Sequence, residues 1–204
     1  MDSNSQGKGR NMKSILIVFT SRFGSTSEIV QEIADTIKKD ENNFSITIND
    51  LRDNPRIDNL EEYDGIIVGS GVKYGRWTKE SLSFLKKNRN IIKRHNIILG
   101  VFVSSGEAAN PSTYGKAKEK YLERVFEKLR LDSGEVTLAE AFGGVFDLSS
   151  NSSYNFIERK MIKRVAQSKD PGFVVKDGKM NDFRNWQAIK SWAVDFRNLV
   201  KSKP

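Results

Sequence analysis

The 204 residues suffice for one sizeable core. With no cysteine among them, disulfides, thiolate metal sites, iron–sulfur ligation and cysteine nucleophiles are excluded. Basic residues outnumber acidic ones 34 to 26, a net charge of +8, and the excess is lopsided: from Asn155 to Pro204 twelve Lys and Arg face five Asp and Glu, a net of +7. Such asymmetry suggests an anionic partner on one side of the molecule, with simple solubility as the alternative.

Residues 1–11 are polar and rich in Ser, Asn and Gly, and are expected to be a disordered tail ahead of a single domain over 12–204. No signal peptide is expected, because the apolar run 15–19 is too short for an h-region. Run 97–103 is likewise far below the ~20 residues that span a bilayer. The continuous apolar run 14–20 predicts a strand covered on both faces. A helix is predicted over 25–39, with Ile29, Val30, Ile33, Ala34 and Ile37 on one stripe. Phe44, Ile46 and Ile48 alternate with polar residues, the pattern of a half-buried edge strand. Fully apolar strands follow at 65–69 and 96–104, helices at 79–88 and 114–129, and a fifth strand at 135–142. An Asn185 cap opens the last helix, whose stripe is Ile189, Trp192, Ala193, Phe196 and Val200. Five strands with helical crossovers make a doubly wound parallel α/β sheet. The alternating second strand belongs at an edge, which gives the order 2-1-3-4-5 with the switch point between strands one and three.

Between the fifth strand and the last helix lies an excursion, 143–184, and one of that length in a compact domain is usually functional. Within it 154–169 reads as a basic amphipathic helix. Tyr154, Ile157, Met161, Ile162 and Val165 share one face; Arg159, Lys160, Lys163 and Arg164 cluster opposite, with Phe156 among them.

Three small-residue loops each follow an apolar strand. The first is Thr20-Ser21-Arg22-Phe23-Gly24-Ser25-Thr26, the second Gly69-Ser70-Gly71-Val72-Lys73-Tyr74-Gly75, the third Ser104-Ser105-Gly106. Ligands of open parallel sheets sit at the carboxyl ends of the strands, so three such loops in register point to one flat, phosphate-bearing cofactor. The first loop leads into a helix and offers backbone N–H groups, hydroxyls and Arg22 to an anion. Taken alone it could also be an ordinary Ser/Thr helix cap, the weaker reading. A nucleoside-triphosphate loop is excluded because no G-x-x-x-x-G-K-[ST] occurs, and the second loop's echo of a dinucleotide fingerprint follows the wrong strand. The lone histidine, His95, is expected at the surface. Trp186 and Trp192 are expected in core packing, and Trp77 near the cofactor.

At these loops the sequence resembles the flavodoxin-like superfamily, over 12 to the end. Ser21, Gly24 and Thr26 match its hydroxyl-x-x-Gly-x-Thr pattern, and Tyr74-Gly75 stand where an aromatic-glycine pair flanks the flavin. Within the superfamily the nearest resemblance is to the menaquinone-dependent protoporphyrinogen IX dehydrogenase group, over 19–29, 63–75 and the 156–163 segment before Trp186. The resemblance implies FMN as cofactor. It places Tyr74 against the isoalloxazine, the Gly75 carbonyl within reach of the flavin N5–H, and Ser104 to Gly106 along the pyrimidine side. Tyr114 is the nearest aromatic to that third loop, which leaves one flavin face open to a substrate. The flavin carries the redox chemistry, so no catalytic side chain is expected. The activity implied is an FMN-dependent oxidoreductase passing electrons from a reduced organic substrate, of porphyrinogen type, to a quinone or similar acceptor. The alternative is a single-electron carrier to a protein partner. Four basic helix residues near anionic lipid contribute on the order of 1 kcal/mol each, which fits a cytoplasmic protein with peripheral contact at the inner face of the membrane; the alternative is a helix that packs its apolar face on the sheet and solvates its basic face. Nucleic acid is not an expected partner, since interleaved aromatic platforms are missing.

Overall fold

Runs of Ile, Val and Leu make the central strands, and glycines let the helices come down close on them. The computed structural model describes residues 12–39, 43–132, 134–152, 154–166 and 173–203, with the side chains of Met161 and 163–166 left aside. The expected tail, 1–11, and the end of the predicted basic helix, 167–169, lie outside the described residues. In chain order the elements are β1 (Lys13–Thr20), α1 (Ser25–Lys38), β2 (Phe44–Asp50), a 3₁₀ turn (Leu60–Glu62), β3 (Gly65–Lys73), β4 (Arg76–Trp77), α2 (Lys79–Arg94) and β5 (Ile98–Ser105). Then come α3 (Gly106–Ala109), α4 (Pro111–Lys118), a π-helical turn (Glu119–Glu123), α5 (Arg124–Leu129), β6 (Leu138–Gly143), β7 (Val145–Asp147), α6 (Phe156–Ala166), β8 (Met180–Asp182) and α7 (Trp186–Ser202).

The main sheet has the order β2-β1-β3-β5-β6, all parallel, which is the predicted order with one short strand interposed in the chain. That strand, β4, pairs antiparallel with the end of β3, and β7 with β8 forms a separate two-stranded sheet in the excursion. On β1, Ile15, Ile17 and Phe19 face α1 and α7, while Leu16 and Val18 face the α2 side. Phe102 and Phe196 are the largest fully buried side chains. A Cβ on Gly100 would stand 2.7 Å from the Phe196 ring, so this glycine sets how closely α7 packs.

Helix ends depart from the predictions for local reasons. α2 extends to Arg94 because Ile91 and Ile92 continue its apolar stripe, and it stops where Asn96 turns left-handed at φ +49°. His95 caps that end and is exposed, as expected. The predicted helix 114–129 begins earlier, at Pro111 behind an Asn110 cap, and is interrupted by the π turn. Residues 135–137 lie before β6, since Glu135 N–H closes a turn onto Asp132. Asn185 caps α7 through Ala188 N–H at 3.0 Å, as predicted.

Candidate functional site

The three predicted loops overlap the carboxyl ends of their strands: Thr20 ends β1, Gly69 to Lys73 still belong to β3, and Ser104 and Ser105 end β5. The first opens α1 with Gly24 at φ +86°, and among the described residues no side chain caps the N–H groups of that helix. Beside it Ser21 Oγ is buried and has no hydrogen-bond partner among the described residues. The second loop is a hairpin: Lys73 pairs with Arg76 across Tyr74 at φ +51° and Gly75 at φ +73°. Two consecutive left-handed residues are the signature of a type I′ turn, whose twist matches the flanking strands. It thrusts Tyr74 outward, 59 % exposed, in a conformation costly for a tyrosine. In the third loop Ser105 Oγ accepts Ala108 N–H at 3.1 Å and starts α3 at Gly106.

Between the loops lies a cavity of about 410 Å³, within the size range of small-molecule sites. The excursion after β6 supplies a further wall through Phe146, Tyr154, Glu158 and Ile162. Phe146 packs against Gly106, where a Cβ would collide with its ring. Tyr154 meets Phe23 edge-on at 4.7 Å, and its hydroxyl donates to the Val145 carbonyl at 3.2 Å. Burial pushes the Tyr154 hydroxyl up to about 12, with Asp147 and Glu158 adding to the effect, so it remains a donor at neutral pH. The π turn delivers Lys120 and Tyr121 from the remaining side, and π-helical turns recur at functional sites. Three cations (Arg22, Lys73, Lys120) stand on the wall against two carboxylates (Glu107, Glu158). Lys120 pairs with Glu107 at 2.9 Å and Lys73 with Glu158 at 2.5 Å, which leaves Arg22, at the first loop, carrying the net charge.

Arg184 ties the first loop to the excursion. Its side chain, 4 % exposed, pairs with Asp182 at 2.7 Å and Glu28 at 2.8 Å, donates to the Ser25 carbonyl at 3.2 Å and lies 4.4 Å over the Trp186 ring.

The family model of the flavodoxin domain matches residues 16–172. The chain belongs to the flavodoxin family. No curated protein matches it in sequence. Among solved structures it is similar to oxidised flavodoxin 1 from Bacillus cereus at 20 % identity and a TM-score of 0.51, over 94 % of this chain and 100 % of that one. The Flv1 flavodiiron core from Synechocystis sp. PCC6803 aligns at 14 % identity and a TM-score of 0.55, covering 94 % of this chain and 36 % of that one. This chain therefore spans about a third of the Synechocystis chain. At these identities the likeness is one of fold.

Flavodoxin domains bind FMN and transfer electrons to partner proteins. The flavodoxin loops fit that cofactor at its phosphate end. An orphaned buried hydroxyl, uncapped helix N–H groups and a net positive wall are what a dianionic phosphate would satisfy. Among the described residues no cluster of His, Cys, Asp and Glu is placed to hold a metal ion.

Arg22, Phe23, Ser25, Thr26, Gly71, Val72, Lys73, Tyr74, Gly75, Ser104, Ser105 and Gly106 all line the cavity. Thr20, Ser21, Gly24 and Ser70 do not line it, although Ser21 and Gly24 flank the lining residues Arg22, Phe23 and Ser25 within the first loop. Thr20 and Ser70 belong instead to a buried hydroxyl chain: Ser81 Oγ donates to Thr20 at 3.2 Å, Thr78 to Ser81 at 3.0 Å, and Ser70 meets Thr78 at 3.1 Å. Trp77 also lies beneath the site and not in it, because its Nε1 donates to the Tyr121 carbonyl at 2.6 Å and its ring joins the core. Tyr114 donates to Glu140 at 2.5 Å and does not line the cavity; the aromatic packed on the third loop is Phe146, against Gly106.

The faces of α6 also differ from the prediction. Ile157 is 66 % exposed and Glu158 is buried in its place. Arg159 turns inward and donates to the carbonyls of Leu148, Ser149 and Tyr154, so it does not join a solvated basic face. Phe156 and Lys160 are exposed, and Ile162 reaches the cavity. The side chains of Met161, Lys163, Arg164 and Val165 lie outside those described.

Proposed function

We propose that this flavodoxin-family chain is an FMN-dependent oxidoreductase that passes electrons from a reduced organic substrate to a quinone or similar acceptor. Bound FMN would supply the redox chemistry, and the protein supplies position, exclusion of water and electrostatics. Ser21, Arg22, Gly24, Ser25 and Thr26 would hold the phosphate. Tyr74, Gly75 and Tyr154 would flank the flavin, and Ser104, Ser105 and Gly106 would border it.

The observation that carries this reading is the rim. Tyr74 at the cavity and, at the start of α6, which carries the lining residues Glu158 and Ile162, Phe156 (79 % exposed) and Ile157 present apolar surface, with exposed Lys160 on the same helix. Apolar surface next to positive charge suits a planar apolar acceptor delivered at an anionic bilayer, with weak and reversible peripheral contact. The same positive balance suits a carboxylate-bearing substrate of porphyrinogen type. Among the described residues no helix is long and apolar enough to cross a membrane.

The test is reoxidation. The FMN-loaded protein is reduced anaerobically and mixed with a water-soluble menaquinone analogue or with a small redox protein. Oxidation by the quinone at least tenfold faster than by the protein acceptor supports the oxidoreductase. The reverse preference overturns it in favour of an electron carrier. Phe156→Ser combined with Lys160→Glu should reduce sedimentation with anionic vesicles, and equal sedimentation would remove the membrane contact.

A further inference from the structure

The excursion holds the second loop through one carboxylate. Glu158 is only 8 % exposed; its Oε1 lies 2.5 Å from Lys73 Nζ and accepts the Tyr74 hydroxyl at 3.1 Å. Its Oε2 accepts Asn155 N–H at 3.0 Å, while Asn155 Oδ1 accepts Glu158 N–H at 2.9 Å. That reciprocal pair is a capping box, and it starts α6. One side chain thus serves both the helix start and the clasp on the loop. Lys73 Nζ in turn stands 4.9 Å from the Phe23 ring centre and 5.1 Å from that of Tyr74. Its charge sits where the first loop, the second loop and the excursion converge.

A capping box accepts Glu or Gln equally, so it does not explain a charge at this position. Burying a carboxylate is costly unless it is paired, and here the partner is a cation on the wall of the cofactor cavity. Reduction makes a flavin more negative. An uncompensated ammonium at that wall would favour the reduced form, and an uncompensated carboxylate would disfavour it. The second wall pair, Lys120 with Glu107, is already neutral, and Arg22 stands at the phosphate end. The charge at the mouth therefore depends on Glu158.

We propose that Glu158 is a positioning residue that fixes Lys73 on the cavity wall and cancels its charge there, so that the excursion sets how strongly the site favours reduced over oxidised FMN. The inference rests on the FMN reading above.

Its test compares dissociation constants for oxidised FMN, from fluorescence titration, with those for reduced FMN, from the midpoint potential of the bound cofactor. Glu158→Gln keeps the capping box and loses the charge; the ratio of oxidised to reduced constants should rise about tenfold, about 30 mV upward for a two-electron couple. Lys73→Met should lower the ratio about tenfold. The charge swap, Lys73→Glu with Glu158→Lys, should return to within about threefold of wild type. A clasp that is merely structural would weaken both redox forms together and leave the ratio unmoved. Unmoved or same-signed ratios, with FMN still bound, overturn this inference alone. A wild-type protein that takes up no FMN overturns the cofactor reading and this inference with it.

Discussion

The sheet with its three loops and the excursion after β6 build opposite walls of one cavity by different means. The loops ride on strands buried on both faces, and two of them are shaped by backbone, a left-handed Gly24 and a type I′ turn at Tyr74-Gly75, while the third is started by the Ser105 side-chain cap. The excursion has a two-stranded sheet of three-residue strands and one helix, and it is held by side chains: Glu158 on Lys73, Arg184 on Glu28, Tyr154 on Phe23, Phe146 on Gly106. A wall fixed by backbone on a packed core tolerates little. A wall fixed by a few polar and aromatic contacts is adjustable, and low-stability elements of this kind are where binding regions are drawn from.

Removing the common core should break both walls at once. Phe196→Ala empties a fully buried site between α7 and the sheet and should cost about 3–5 kcal/mol in denaturant unfolding. A loss below about 1 kcal/mol would mean that α7 does not anchor the sheet. Next in size is the backbone of the first loop. Gly24→Val forces a β-branched residue to φ +86°, at a strain of about 1–3 kcal/mol, and should weaken FMN binding by roughly that amount or more. Unchanged titration curves would show that the left-handed turn is unrelated to the ligand.

Ser21→Ala sharpens the contrast, because stability and binding should move in opposite directions. Without ligand the variant should be roughly 1 kcal/mol more stable, since an unpartnered buried hydroxyl is removed. FMN affinity should fall by about tenfold. A less stable variant with unaltered affinity would make Ser21 a structural residue.

The smallest effect is confined to the excursion. The Lys73 ammonium beside Glu158, with Asn155 N–H and the Tyr74 hydroxyl, holds its carboxyl below the usual carboxylate range despite burial. A lowered folded-state value means that the contribution is fully present above the unfolded value of about 4.3 and is lost as pH falls through the folded one. The amide protection factors of α6, corrected for intrinsic exchange, should therefore fall below about pH 4.3 while the sheet stays protected, and Glu158→Gln should flatten that dependence. Sheet and helix losing protection together would deny the two walls their independence.

What was legible in the sequence follows the same division. The apolar runs at 14–20, 65–69 and 96–104 show strands buried on both faces, and the alternation at Phe44, Ile46 and Ile48 shows an edge, from which the strand order was inferred. The loops could be read because glycine and hydroxyl residues follow those strands. The hairpin at Tyr74-Gly75 was not, since a tyrosine at φ +51° has no place in the usual turn signatures. The excursion was misread in its faces because helical periodicity presumes an apolar neighbour. The start of α6 lies against an ammonium, so Glu158 is buried and Ile157 exposed. Phe146, Tyr154 and Arg184 reach the site through tertiary contacts that no local pattern encodes.

The central claim, that the uncapped start of α1 and the orphaned Ser21 hydroxyl form a seat for the phosphate of FMN, is tested most directly by titrating the protein with FMN and with riboflavin, which lacks that phosphate. FMN should bind at least a hundredfold more tightly, with added inorganic phosphate relieving part of the difference. Equal affinities for the two flavins, or none for either, would contradict the account.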